Sequence, residues 1–97
     1  MDEQVRIDKW LWHARFYRSR LRAQEAAGSG LIRLNGNRVE KPSTSVRPGD
    51  VLTLPQGRTV VAVRIEALAL RRGAAPEARK LYRIVGEGLL DPAPVPS

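Results

Sequence analysis

The sequence predicts a small α+β domain in which two short N-terminal helices pack on a curled antiparallel sheet of four to five strands. Three observations predict this class. Residues 8–27 contain neither glycine nor proline, Asn35-Gly36 is the dipeptide most typical of a tight hairpin, and the later segments alternate between strand-like runs and turn residues. A chain of 97 residues is long enough for one modest core and too short for a two-domain enzyme.

The first helix is predicted to run through Phe16, with Asp8 as its N-cap. At about 100° per residue, five side chains fall in one sector that we expect to face the core: Ile7, Trp10, Leu11, Ala14 and Tyr17. Trp12 and Phe16 form a smaller apolar patch outside that sector. Aromatic side chains beside basic ones can stack on nucleic-acid bases.

Ser19 is the predicted N-cap of a second helix over residues 20–27, which ends at Gly28. Three arginines surround its N-terminus: Arg18, Arg20 and Arg22. Cations at that end oppose the helix dipole and repel one another, whereas an anion is attracted by the dipole and by the free backbone N–H groups. A bound polyanion would resolve this conflict.

The rest of the chain is predicted to form strands. Their positions are residues 31–34, 37–39, 51–54, 59–70 and 80–85, with Leu81, Arg83 and Val85 of the last strand on one side. Asn35-Gly36 joins the first two strands, residues 42–45 form a loop, residues 47–50 form a turn, and residues 71–76 form another loop. The proline-rich tail over residues 88–97 is predicted to be disordered, and residues 1–5 are predicted to be a flexible N-terminus.

Positive charge is concentrated near the N-terminus. Residues 6–22 hold six of the 17 basic residues and one of the ten acidic residues, and so carry +5 of the net charge of +7. Such a cluster is typical of a surface that binds a phosphate backbone. Nucleic acid, RNA or DNA, is therefore the first predicted partner, and an anionic membrane surface is the second.

Several classes of function are disfavoured. The chain has no cysteine, and its apolar runs are too short to cross a bilayer, so we expect a cytoplasmic protein without disulfides, thiolate metal sites or a membrane anchor. His13 is the only histidine, and no serine-histidine pair, carboxylate dyad or phosphate-binding glycine loop accompanies it. We predict no enzyme activity, no cofactor and no metal.

Many spaced positions agree with one known domain: the run 6–12, Arg15, Ser19-Arg20, Ala23, Gly30, the segments 34–36 and 41–43, Val46, and 48–51. In these positions the chain resembles the αL RNA-binding motif, the domain named after ribosomal protein S4. Within that superfamily, the Lys-Trp-Leu-Trp helix and the compact size are similar to the heat-shock protein 15 family. The resemblance assigns residues 6–54 to the motif and residues 55–87 to a β extension.

The resemblance implies RNA binding through the two-helix face. The implied target is a large ribosomal subunit that still holds a peptidyl-tRNA after translation has failed. Separately, we expect the free chain to be a monomer. The candidate RNA-binding residues, from the resemblance and the charge pattern together, are Arg6, Lys9, Arg15, Arg18, Ser19, Arg20, Arg22, Gln24, Asn35, Arg38 and Lys41. Arg22 departs from the family pattern, which often has an acid there that completes a capping box.

Two alternatives stay open. One is an accessory factor for ribosomal RNA assembly or modification that acts without a nascent chain. The other is a protein-interaction module that uses the patch of Trp12 and Phe16.

Overall fold

The computed structural model describes residues 3–69 and 71–89. Its helices are α1 (Ile7–His13), α2 (Arg20–Gly28) and α3 (Ala75–Ala78), the last followed by a 3-10 turn at Arg79–Leu81. Its strands are β1 (Val5–Arg6), β2 (Arg33–Leu34), β3 (Asn37–Arg38), β4 (Ser45–Val46), β5 (Val51–Gln56), β6 (Thr59–Ile65) and β7 (Tyr82–Leu89). The predicted α+β class is confirmed.

The main sheet has five antiparallel strands in the order β3-β2-β5-β6-β7, and β1 pairs with β4 in a separate two-stranded ribbon. The β5–β6 hairpin runs from Gln56↔Thr59 at its turn to Val51↔Arg64 at its open end. There β6 also pairs with the start of β7, through Ile65↔Tyr82. A register shift between Ala62 and Val63 marks an irregularity in the β6–β7 pairing, of the kind that bends and twists a sheet.

The core lies between α1, α2 and one face of the sheet. Trp10 and Leu11 of α1 are fully buried, as are Leu52 and Val63 of the central strands. The Trp10 indole Nε1–H donates a hydrogen bond of 3.0 Å to the carbonyl oxygen of Ala67, just beyond β6. This bond fixes α1 over the open end of the hairpin. Four of the five side chains predicted to face the core are buried, and the fifth, Tyr17, is half-buried.

Helix α1 ends at His13, three residues before the predicted end. Arg15 adopts a left-handed conformation with φ of 64°. Its N–H donates to the Trp12 carbonyl at 3.1 Å, and the Phe16 N–H donates to the Leu11 carbonyl at 3.0 Å. These two bonds form a Schellman motif, which closes a helix by satisfying its last carbonyl groups. An arginine stands where glycine is usual, and that is why composition alone did not mark the end.

Asp8 is not the N-cap of α1. Arg6 holds that position in an extended conformation, and Asp8 lies in the first turn, where it is fully buried. The first N–H groups of α1 are satisfied by the chain, because Ile7 donates to the Thr44 carbonyl at 2.7 Å and Asp8 to the Pro42 carbonyl at 3.4 Å. A side-chain cap is therefore unnecessary.

The ends of the described chain also differ from the prediction. Val5, assigned to a flexible terminus, pairs with Val46 in β1, and α3 begins inside the predicted loop over residues 71–76. The last strand begins at Tyr82 and continues through Leu89, so the predicted tail overlaps it by two residues. Residues 90–97 lie outside the described residues. No helix within the described ranges is long and apolar enough to cross a membrane.

The last strand does not alternate as predicted either. Leu81 is buried in the 3-10 turn, whereas Arg83 and Val85 are exposed. The prediction placed Leu81 in the strand, whereas the strand begins one residue later. The register shift opposite Ala62 and Val63 then interrupts the alternation of side chains between the two faces of the sheet.

Candidate nucleic-acid interface

A buried carboxylate joins two of the predicted arginines. Arg6 donates from Nε and Nη2 to the two Asp8 carboxylate oxygens at 3.1 and 3.0 Å, and Arg20 Nη2 lies 3.8 Å from Asp8 Oδ1. The Asp8 side chain has no exposed area, whereas those of Arg6 and Arg20 are 47% and 39% exposed. Bidentate pairing restricts a guanidinium to one plane and position. Asp8 thus holds cations from the start of α1 and the start of α2 side by side at the surface.

The N-terminus of α2 is built as predicted. The Ser19 hydroxyl accepts a hydrogen bond of 3.2 Å from the Arg22 backbone N–H, and Ser19 has the extended conformation of an N-cap. The side chains of Arg18 and Arg22 are exposed, and Gln24 lies one turn beyond Arg20. The positive end of the helix dipole and these cations act on the same region of solvent, which favours an anion there.

The imidazole of His13 is buried, and its pKa is affected by three nearby cations: Lys9, Arg20 and Arg72. His13 is 2% exposed, and its Nδ1 atom has no hydrogen-bond partner among the described residues. Burial lowers the pKa of His13, and the positive charges of Lys9, Arg20 and Arg72 lower it further, whereas a hydrogen bond with the Ala69 backbone raises it. The lowered pKa favours the neutral imidazole, and the three cations that contribute to the shift come from α1, from α2 and from residue 72.

Arg15 was predicted to face RNA, but part of its guanidinium group makes a hydrogen bond within the chain. Its Nε–H donates to the Gly73 carbonyl at 2.8 Å. In return, Arg72 Nε–H donates to the Trp12 carbonyl at 3.1 Å. We call this reciprocal pair of contacts the arginine clasp, which ties residues 72–73 to the end of α1. Sequence reasoning missed Arg72, although the dipeptide Arg71-Arg72 was visible as a local concentration of charge.

The remaining predicted residues lie around the β2–β3 hairpin. Asn35, Arg38 and Lys41 line one groove together with Asn37, Val39 and Thr44. Asn35 and Gly36 have φ of 52° and 88°, as a two-residue hairpin turn with both central residues left-handed requires. The Asn35 amide donates to Asp50 at 3.1 Å and accepts from the Val51 N–H at 2.9 Å, so its polar groups serve the fold. Arg38 and Lys41 are exposed.

The aromatic patch is partly covered by the chain itself. Phe16 packs against Tyr82 with ring centroids 4.6 Å apart and against Trp10 at 6.1 Å. The Arg72 guanidinium lies over the Trp12 ring, 5.7 Å from its centroid. Both aromatic side chains are half-buried, which reduces the area they present for stacking. Within the part of the chain that the structure describes, no group of three acidic, histidine or cysteine side chains could hold a metal ion.

Comparison with known proteins places this fold in a family. A model of the S4 domain matches residues 5–52. Heat shock protein 15 of Escherichia coli (strain K12) is 42% identical over 86 residues, which are 89% of this chain and 64% of that protein. The chain thus spans slightly less than two thirds of the length of that relative.

Two further relatives match over most of their length. The RQC P-site tRNA stabilizing factor of Bacillus subtilis (strain 168) is 37% identical over 86% of this chain and 94% of its own. A solved trimeric structure of Vibrio cholerae heat shock protein 15 is 46% identical, superposes with a TM-score of 0.80, and is matched over 86% of this chain and 83% of its own. Sequence and fold agree, and the chain belongs to the heat shock protein 15 family.

Proposed function

We propose that this chain is a non-enzymatic RNA-binding protein that docks on structured ribosomal RNA through the face formed by α1 and α2. The observation that carries the proposal is the bridge from Asp8 to Arg6 and Arg20, beside the N-terminus of α2. A fixed pair of guanidinium groups matches phosphate oxygens in geometry as well as in charge. Its position beside Lys9, Arg18 and Arg22 supplies the surrounding positive potential.

We propose the large ribosomal subunit carrying a stalled peptidyl-tRNA as the cytoplasmic target. Two relatives support this target, because one is a heat shock protein and the other is an RQC P-site tRNA stabilizing factor. Recognition of such a particle needs positioning on RNA rather than bond-making chemistry, which agrees with the sequence-based prediction of no enzyme activity.

The electrostatic part of the proposal predicts a salt dependence. Neutralising about five phosphates gives a slope of log affinity against log salt of roughly −3 to −5. Arg22 is exposed, and its side chain has no hydrogen bond to any of the described residues, so Arg22→Gln removes one cation. We expect a slope about 0.7–0.9 less steep, with weaker binding to deproteinised large-subunit ribosomal RNA. The measurement is a series of binding isotherms at roughly 0.05 to 0.3 M salt, a range in which affinity that depends on phosphate contacts falls steeply as salt rises.

Arg58→Gln is the matched control, because Arg58 is exposed in the β5–β6 turn and its loss changes the net charge equally. Equal effects of Arg22→Gln and Arg58→Gln would contradict a specific face on α1 and α2. The variant Arg18→Gln/Arg22→Gln is expected to double the change in slope.

Sedimentation of the tagged chain with ribosomal particles identifies the target. Co-migration with free large subunits that retain peptidyl-tRNA supports the proposed role. Migration with assembly precursors supports the accessory role instead, and binding that resists both salt and nuclease supports a protein partner. The free chain in the same gradient tests the proposed monomer against the trimer described for the Vibrio cholerae relative.

A further inference from the structure

A second concentration of positive charge lies outside the part of the chain that matches the S4 domain. Residues 71–83 contain five basic residues and one acidic residue, Glu77. Residues 6–22 and 71–83 together carry +9, and the rest of the chain, with six basic and eight acidic residues, carries −2. All of the net positive charge therefore belongs to two segments, only one of which falls within the matched residues 5–52.

The fold brings the two segments into contact at two places. The arginine clasp joins residues 72–73 to the end of α1. Farther along, the Tyr82 ring packs on Phe16, in the turn between α1 and α2. His13 of α1 lies within the electrostatic influence of Arg72 as well as of Arg20. Residues 72–82 are thus anchored near both of their ends against the helices of the proposed RNA face.

Four cations of the second segment are available to a ligand. Arg71, Arg79, Lys80 and Arg83 are exposed, and no carboxylate of the described residues lies within 4 Å of their charged nitrogens. Arg83 also stands directly opposite Arg64 in the β6–β7 register. Like charges in that relation destabilise a sheet, and the ion pair of Arg64 with Glu66, at 4.0 Å, leaves Arg83 without compensation. A polyanion bound across this surface would remove the conflict.

We propose that residues 71–83 form a second RNA-binding surface, which contacts the phosphate backbone of the RNA bound by the face of α1 and α2. The inference rests on the proposed function and extends it. The exposed cations Arg79 and Arg83 flank the anchored Tyr82, so they lie at the end of the sheet where α1 is fixed through Trp10. Arg83 projects from the opposite face of the sheet to Tyr82, so we expect the bound RNA to follow this end of the sheet from one surface to the other.

The chain provides a distant reference position for the test. Arg58 follows Gly57 at the closed end of the β5–β6 hairpin, whereas Tyr82 pairs with Ile65 at the open end. Six steps along β6 separate these ends, which is about 20 Å at the rise of an extended strand. Arg58→Gln removes the same charge as Arg79→Gln or Arg83→Gln, far from the proposed surface.

The experiment compares Arg79→Gln, Arg83→Gln and Arg58→Gln with the wild-type chain, using deproteinised large-subunit ribosomal RNA across a salt series. We expect each of the first two variants to lessen the slope of log affinity against log salt by about 0.7–0.9, and Arg58→Gln to leave it unchanged. Arg22→Gln is measured in parallel to report on the first surface, and circular dichroism with thermal unfolding verifies that each variant is folded.

The outcomes separate this inference from the function on which it rests. If Arg22→Gln lessens the slope and Arg79→Gln and Arg83→Gln do not, the second surface is refuted and RNA binding by α1 and α2 stands. Equal changes in all variants, Arg58→Gln included, would reduce both surfaces to an unspecific effect of net charge. If wild type shows no salt-dependent binding, the proposed function itself fails. If only binding to phosphatidylserine vesicles responds to Arg79→Gln and Arg83→Gln, the second surface belongs to a membrane and the inference is overturned.

Discussion

Asp8 is the one acidic residue within the basic segment 6–22, and its buried position lets it orient the arginines around it. A carboxylate at the surface would compete with RNA phosphate for the arginines. Asp8 is fully buried, so it contacts Arg6 and Arg20 from beneath and leaves their outer faces open to solvent. The sequence did not predict the burial of Asp8 or its contact with Arg20, because Arg20 is brought close only by the packing of α2 on α1.

Replacing Asp8 with Asn separates geometry from charge counting. The variant has one more net positive charge, so counting predicts tighter RNA binding. We expect weaker binding, because an amide cannot pair both guanidinium groups, and a loss of about 1.5–3 kcal/mol in the free energy of unfolding. Glu25→Gln is the control, since Glu25 is exposed on α2 and its replacement raises the net charge equally. Tighter binding by both variants would contradict a positioning role for Asp8.

His13 makes the stability of the fold dependent on pH. Burial, Lys9, Arg20 and Arg72 lower its pKa in the folded state, so the unfolded chain binds a proton more readily. Stability is therefore fully present above the unfolded pKa, near 6.5, and is lost as pH falls below it towards the folded pKa. We expect urea denaturation to give a free energy of unfolding lower at pH 5.5 than at pH 7.5, by at most about 1.4 kcal/mol.

The corresponding control is His13→Gln, which removes the imidazole that titrates. Because His13 is the sole histidine, this variant should have nearly constant stability over that range. A fall of the same size in His13→Gln would assign the pH dependence to other groups.

At the scale of secondary-structure elements, the features that the sequence predicted correctly are those determined by residues adjacent in the chain. The N-cap Ser19 and the hairpin turn Asn35-Gly36 between two predicted strands were both identified correctly, since a cap or a tight turn depends on local conformation. The ribbon of β1 and β4 was missed because its two strands are only two residues long and their paired residues lie 39 and 41 positions apart in sequence. Their pairing is decided by the packing of the loop before β4 on α1, which no local pattern reveals.

The end of α1 offers a test of an element boundary. Arg15→Gly and Arg15→Ala both lose the positive charge and the hydrogen bond from Nε–H to the Gly73 carbonyl. The two variants differ in how readily the new residue adopts the left-handed φ of 64°. We expect Arg15→Gly to be more stable than Arg15→Ala by about 1 kcal/mol, because only glycine adopts this conformation without steric cost. Chemical denaturation of the two variants measures the difference. Equal stability, or a more stable alanine variant, would show that Arg15 is not held left-handed in solution.

At the scale of the whole molecule, the sequence located the first basic surface and missed the second. The charge of residues 6–22 was visible without a structure, and folding joined Arg6, Lys9 and Arg20 into one region. Residues 71–83 were read as a loop and a strand, and nothing local indicated that this segment contacts the end of α1. That contact depends on the arginine clasp and on the packing of Phe16 and Tyr82, which join residues about 60 positions apart.

The bond between the Trp10 indole and the Ala67 carbonyl has a consequence for how recognition proceeds. Trp10 is buried in the same core as Leu52, Val63 and Leu81, so α1 cannot detach without exposing that shared interior to water. The conformational entropy cost of ordering this face is therefore met during folding and not when a ligand binds. We therefore expect such a preorganised binder to meet an RNA ligand as a rigid body, with the adjustments on docking made by the RNA and by the outer ends of arginine and lysine side chains.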